Sequence, residues 1–308
     1  MDFRKAGFLM RLVCAVALCV ALVGCQAKKS GSVRIDPALE KLIPADTVFI
    51  VSGNIDAVRQ APVYQKLLSR VPLTQLDEFT RQTGLDPRKD LDQVLSCSNG
   101  KSGVLMARGK FNVPDLEKRL EARGATRSGY KGHDVFESQR LAFVFLNSST
   151  ALVGQPADLH SIMDRGSVGG LPQALQDLIR TIPGNDQVWA ALTGGVQSLN
   201  LTIPRDSNLA NIVSALKSID TATIGMDLSS GIGLDARVVC KTERDAKFVH
   251  DMLKGVVGIG RLNTPDNHPE LLQLYDAIQI TAQQNHAEVT AQIPADLADR
   301  FLDLWLKK

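Results

Sequence analysis

The run Leu141-Ala142-Phe143-Val144-Phe145-Leu146, the polar turn after it, the run Thr150-Ala151-Leu152-Val153-Gly154 and the tetrapeptide Pro156-Ala157-Asp158-Leu159 decide the fold. Short runs of β-branched and aromatic residues around a polar turn read as antiparallel strands. Pro156 presets φ for a first helical turn and Asp158 faces the positive end of the helix dipole, so a helix follows. Val135–Ser138 adds a third strand to this meander. The same order returns later in the chain. Ala277–Ala282 and Ala287–Ile293 read as strands, and Pro294-Ala295-Asp296-Leu297 repeats the helix start letter for letter.

The segments upstream of each copy echo one another as well. Ile43-Pro44 leads into the β-rich run Thr47–Ser52, and Ile182-Pro183 leads into Gln187–Leu192. Gly103–Arg108 reads as a strand followed by a helix over Val113–Ala122. Thr221–Leu228 and Gly233–Cys240 read as a hairpin around Ser229-Ser230-Gly231, followed by a helix from Glu243. Asp36 and Pro37 open a short helix; helical spacing covers Ile55–Ser69 and Leu73–Thr83, with Gly84 as C-cap. Asp86-Pro87 starts a further turn or helix through Leu95. An internal duplication joined near Gly166–Pro172 explains the echo. The expected architecture is α+β: two similar lobes, residues 36–170 and 171–308, each a mainly antiparallel sheet with helices packed on one face.

The N-terminus carries an address. Arg4, Lys5 and Arg11 precede the apolar run Leu12–Val23, then Gly24 and Cys25, which are the parts of a secretory signal. Twelve apolar residues are too few for a comfortable bilayer span. Leu22-Val23-Gly24-Cys25 resembles the lipobox of bacterial lipoproteins. The resemblance implies cleavage before Cys25 and lipidation of its sulfur, with residues 1–24 as signal peptide and 25–35 as a membrane-proximal tether. Each buried methylene contributes ~0.8 kcal/mol, so more than one acyl chain is needed for a firm anchor. Gln26 stands where an Asp would retain an enteric lipoprotein in the inner membrane. The resemblance therefore implies the periplasmic face of the outer membrane.

Composition narrows the function. The 308 residues are 44% hydrophobic and 22% charged, values of a globular chain rather than a disordered or collagen-like one. Removing residues 1–24 takes Arg4, Lys5, Arg11 and Asp2 from 35 basic and 33 acidic residues, leaving 32 of each. A neutral mature chain lacks the basic excess that nucleic-acid binding needs. After lipidation of Cys25 only Cys97 and Cys240 remain as thiols. An oxidising periplasm permits a disulfide between them, worth about 4–5 kcal/mol in the chain-entropy model for so long a loop. Cys240 also alternates with Leu234, Ala236 and Val238 as on one strand face, the pattern of a buried free thiol.

No local pattern supplies catalysis or a cofactor. Asn99-Gly100-Lys101-Ser102 imitates the end of a phosphate loop, but Leu95 occupies the position of its first glycine, so a turn is the reading. Gly255, Gly258 and Gly260 follow a helix with the wrong spacing for a dinucleotide fingerprint and read as helix caps and turns. His133, His160, His250, His268 and His286 show no metal-ligand spacing. Asp86-Pro87-Arg88-Lys89-Asp90, the densest charged cluster, reads as a solvated helix entry. Trp189, Trp305, Phe248 and Phe301 read as core or groove aromatics.

Four segments carry a further resemblance: Ile43-Pro44-Ala45-Asp46-Thr47, Gly84-Leu85-Asp86-Pro87-Arg88-Lys89-Asp90-Leu91, Ala107-Arg108-Gly109-Lys110-Phe111 and Lys241-Thr242-Glu243-Arg244-Asp245-Ala246. Together they resemble an uncharacterised family of secreted or lipid-anchored bacterial proteins over most of residues 40–300. That resemblance implies an envelope location and a repeated α+β body, with no catalytic residues. The resulting expectation is a lipid-anchored, non-catalytic envelope protein that binds or scaffolds an envelope protein partner. The alternatives are an envelope hydrolase with an unrecognised site and a carrier of an apolar ligand held in a groove between the lobes.

Overall fold

The computed structural model describes residues 31–308 apart from 71–72, 167–169, 196–216, 266 and 307–308. Asp36 caps α1 (Pro37–Glu40) by accepting from the Ala38 N–H at 2.7 Å. Strand β1 (Phe49–Asn54) leads to α2 (Ile55–Gln60), α3 (Pro62–Arg70) and α4 (Thr74–Thr83). Pro62 lacks the N–H that a continuous helix over 55–69 would use, so the expected single helix is two. Then come α5 (Pro87–Asp90), β2 (Leu91–Ser98), β3 (Gly103–Gly109) and α6 (Val113–Ala122). The meander β4 (Thr126–Tyr130), β5 (His133–Ser138), β6 (Leu141–Asn147) and β7 (Thr150–Gly154) ends in α7 (Pro156–Arg165).

The second half runs α8 (Gln173–Ile179), β8 (Val188–Leu192), β9 (Ile219–Asp227) and β10 (Gly231–Cys240). It finishes with α9 (Glu243–Leu262), α10 (Pro269–Asp276), β11 (Ile278–Gln283), β12 (His286–Pro294) and α11 (Ala295–Leu306). The repeated tetrapeptides sit at matching places, after β7 and after β12. Pro156 is the first residue of its helix, whereas Pro294 is the last of its strand.

The fold is α+β, and the twelve strands among the described residues join one sheet in the order β11-β12-β10-β9-β8-β1-β2-β3-β7-β6-β5-β4. The two halves are therefore continuous through the antiparallel β1–β8 pair, not two separate sheets. Outward from that pair the order repeats: β1-β2-β3-β7-β6 on one side, β8-β9-β10-β12-β11 on the other.

Residues in register across a ladder share a face. One row runs Ala142, Gly154, Val104, Cys97, Ile50, Ala191, Thr223, Arg237, Glu288. Its first-half members are buried in the main core, with Leu39, Ile43, Leu159, Ile162, Leu175 and Ile179 from α1, α7, α8 and the loop after α1. Its second-half end is polar and part-exposed, closed by an Arg237–Glu288 ion pair. The next row, on the opposite face, runs Phe136, Phe143, Val153, Leu105, Ser96, Val51, Ala190, Ile224, Ala236, Val289, Ile280. It is apolar almost throughout. In the second half α9 covers this face, burying Ala246 and Val249 against Cys240 and Ala287. In the first half α4 and α6 cover it, so helices lie on both faces there rather than on one.

Of the two readings open for the cysteines, disulfide or buried free thiol, the structure has the second. Cys97 and Cys240 are free, buried thiols. They belong to separate clusters on opposite faces. β2 and β10 stand four strands apart in the sheet, roughly 19 Å at the usual spacing. A disulfide needs Cα atoms within about 7 Å.

Candidate functional site

A deep concavity lies beneath α4 and α6, against the first-half sheet. Its volume is about 710 Å³, within the range of small-molecule sites. Strand alternation builds the floor: Val94, Leu105, Ala107, Ala151, Val153, Phe143 and Phe145 all project to this side. Ala107 and Ala151 face each other across β3 and β7, and Phe145 pairs with Ala151 from β6. Two methyl side chains at the centre of the floor leave the space, and aromatic rings wall it. Phe111 and Phe145 meet at 5.9 Å between ring centroids, inside the favourable aromatic range.

The roof comes from Phe79 of α4, Leu116 and Leu120 of α6, the loop residue Leu85 and Pro87, the first residue of α5. α4 buries no residue fully, and Phe79 is 41% exposed, so this helix lies over the cavity without filling it. Gly84 ends α4 in the left-handed region at φ 79°, a conformation glycine adopts without strain. It also lets the end of α4 rest on α6: a Cβ there would stand 2.7 Å from Arg119 Nε.

A charged clasp holds the far end of the roof. Asp86 caps α5, accepting from the Arg88 N–H at 3.0 Å, and its side chain is 11% exposed. Arg88 Nε donates to Asp86 at 2.8 Å, and its Nη1 reaches Asp77 of α4 at 2.7 Å. Hydrogen bonding from Arg88 holds the Asp86 carboxyl below the usual carboxylate range. The segment read as a solvated helix entry is thus a part-buried tie between α4 and α5.

The lining contains no His, Cys, Asp, Glu or Lys; its charged groups are Arg119 and Arg123. The remaining residues singled out in the sequence lie elsewhere. Cys25 falls outside the described residues, as does the side chain of Trp305. Burial pushes the Cys97 thiol up to about 12, and burial raises Cys240 too, so both are unreactive core thiols. Asn99–Ser102 is the β2–β3 turn, Asn99 Oδ1 accepting from the Lys101 and Ser102 N–H groups at 3.0 Å. Gly255, Gly258 and Gly260 sit inside α9 rather than at caps; Gly260 admits the Tyr275 ring at close range. His160 stacks on Tyr130 at 3.8 Å, and the Tyr130 hydroxyl donates to Asp164. His250 and His268 contact Asp251 and Glu270. Among the described residues no group of His, Cys, Asp and Glu is arranged to hold a metal. Trp189 is core, while Phe248 and Phe301 are each 40% exposed.

The sequence allows an apolar groove between the halves; this cavity lies within the first half. Its sequence signal is the second apolar alternation in β3 and β6, Leu105/Ala107 and Phe143/Phe145, on strands whose other face is already apolar.

Comparison with known proteins gives a fold likeness. A solved structure of TP0453 in crystal form III matches with a TM-score of 0.50 at 11% identity, covering 89% of this chain and 99% of that one. Crystal form IV of the same protein gives 0.49 at 10% identity, covering 89% and 97%. No protein-family model and no curated protein matches the chain. Among the described residues no helix is long and apolar enough to cross a membrane.

Proposed function

We propose that this chain is a cell-envelope protein, tethered through a lipid on Cys25, that binds an apolar molecule beneath α4 and α6. The cavity carries the reading: about 710 Å³ walled by aromatic and aliphatic side chains, with polar groups confined to a few positions. Binding is favoured over catalysis because the lining offers no nucleophile–base pair and no acid–base carboxylates. Of the three roles the sequence leaves open, a carrier of an apolar ligand is the one this geometry supports.

Two measurements test the reading. The full-length Cys25→Ala chain, which lacks lipid of its own, is titrated with the neutral dye N-phenyl-1-naphthylamine. Saturable fluorescence enhancement is expected, and Ala107→Phe or Ala151→Leu, each filling the floor, should abolish it while far-UV circular dichroism stays unchanged. Enhancement that survives both variants places the dye elsewhere and overturns the site. For the tether, mass spectrometry of the native N-terminus should find Cys25 acylated and first. An intact, unmodified N-terminus overturns it.

A further inference from the structure

The charge distribution around the cavity points to the class of molecule it takes, an inference that rests on the cavity being a binding site. The apolar walls come from the strands and Phe111, while polar groups gather where two helix ends meet. Gln82 and Thr83 close α4, Arg119 stands in the last turn of α6, and Arg123 is its C-cap. The contact of Gly84 with Arg119 and Asp115 fixes these ends side by side.

The local carboxylates are spoken for. Glu78 is engaged by Arg81 through one oxygen and by Gln82 through the other. Asp115 accepts from Arg119 Nε at 2.7 Å. Arg123 makes no salt bridge or side-chain hydrogen bond among the described residues; its charge adds a small part to the lowering of the Glu78 carboxyl, which comes mainly from the Arg81 hydrogen bond. A cation at a helix C-terminus complements the helix dipole, which accounts for an Arg at this position. The dipole does not account for two guanidinium groups lining one apolar cavity whose walls hold no anion. A guanidinium presents a planar fork that a carboxylate or phosphate matches with two parallel hydrogen bonds.

We propose that the cavity binds a single-chain anionic amphiphile, its hydrocarbon tail lying over Ala107 and Ala151 and its anionic head held by Arg123, with Arg119 beside it. A fatty acid and a lysophospholipid share this chemistry. The aromatic walls receive the tail, and the head stays at the part-exposed rim, where Arg119 is 43% exposed and its charge needs little desolvation.

The test compares three sixteen-carbon competitors that differ only in the head: palmitate, hexadecanol and hexadecylamine. Each displaces N-phenyl-1-naphthylamine from the full-length Cys25→Ala chain. Palmitate should compete at roughly ten-fold lower concentration than hexadecanol, and hexadecylamine more weakly than either, as expected for a charge-assisted pair at a part-exposed rim. Arg123→Gln should erase the palmitate advantage and leave hexadecanol unchanged, which also shows that the variant is folded. Arg123→Lys should restore part of it. Equal competition by palmitate and hexadecanol in the parent chain overturns the anionic head while leaving the apolar site intact. Loss of all three competitors on Arg123→Gln overturns Arg123 as a head-group ligand. Failure of every competitor, with dye bound, overturns the tail site itself. Palmitoyl lysophosphatidylcholine and palmitoyl lysophosphatidic acid, each with one sixteen-carbon chain, then separate the sources: a lysophosphatidic acid that outcompetes palmitate points to a lysophospholipid, palmitate ahead of it to a fatty acid, and a zwitterionic lysophosphatidylcholine equal to the better of the two overturns the anionic head.

Discussion

The two ends of the apolar sheet face are covered differently. In the second half the 20-residue α9 sits down on the strands, burying Ala246 and Val249 against Cys240 and Ala287. The space left beside it, near Tyr275 and Ile280, is about 260 Å³. In the first half the 10-residue α6 buries Leu116 alone, α4 buries nothing fully, and about 710 Å³ stays open. Small residues occupy both sites, but on different partners. In the second half small side chains sit on helix and strand alike, so the backbones approach. In the first half the alanines are confined to the floor, while Phe79, Leu116 and Leu120 hold the helices away. A helix seated on small residues closes a face; long side chains above small ones leave a room.

That contrast predicts opposite responses to added volume. Ala246→Leu has nowhere to put its extra carbons and should destabilise by about 1–3 kcal/mol in chemical denaturation. Ala107→Leu, on the floor of the open cavity, should change stability by less than about 1 kcal/mol while weakening dye binding. Equal losses at both positions would mean that the first-half cavity is closed in solution.

The clasp gives the next largest effect. Arg88→Gln removes the cation that ties Asp86 to Asp77 and should lower the denaturation midpoint near neutral pH. The sign of its pH dependence is fixed by the depressed Asp86 carboxyl. A group whose pKa is lowered by folding contributes stability above its unfolded value, here about 4, and loses it as pH falls through the lower folded value. The parent should therefore lose stability between about pH 4 and the depressed value. Arg88→Gln should start lower and fall less steeply there, so the two curves converge in acid. Parallel curves down to pH 2 would show that Asp86 does not depend on Arg88.

Much of this frame is readable along the chain, and the failures have physical causes. The strands around Phe143 and Leu152 and the hairpin ending at Cys240 stand out because alternation and turn chemistry agree. Leu91–Ser98 does not: Asp92, Gln93 and Ser96 dilute its pattern, and the strong cap at Asp86 suggests a helix running on. Only its two neighbours, β1 and β3, make it a strand. Thr126–Tyr130 is an edge strand almost without apolar residues and leaves no periodic trace. Gly255, Gly258 and Gly260 look like stops, yet α9 continues through them, and Gly260 makes room for Tyr275. The cavity was hidden for a related reason. Two apolar faces on β3 and β6 announce burial on both sides, but whether a helix fills or bridges the space depends on its stand-off, a property of paired surfaces.

Gly84→Ala probes that stand-off directly. The residue is left-handed, and an added methyl would press on Arg119 and Asp115. A loss of about 1–2 kcal/mol is expected in thermal or chemical unfolding. Because the clash pushes α4 away from α6, the dye site should loosen as well. Gly84→Asn, which tolerates positive φ better, should recover part of the stability but not the binding.

The smallest effect belongs to the reverse face of the second half, where the row that is core at Cys97 and Ile50 ends in Arg237 and Glu288. Their side chains are 45% and 38% exposed, and directly opposed charges of unlike sign on an open sheet contribute little. Glu288→Ala should change stability by less than about 0.5 kcal/mol, and the change should shrink further in high salt. The same pair under a covering element would behave differently, since removing one partner strands a desolvated charge and costs about 3–5 kcal/mol. A measured loss above about 2 kcal/mol would therefore mean that this face is covered at β10 and β12, and the contrast between a two-sided first half and an open outer face in the second would have to be abandoned.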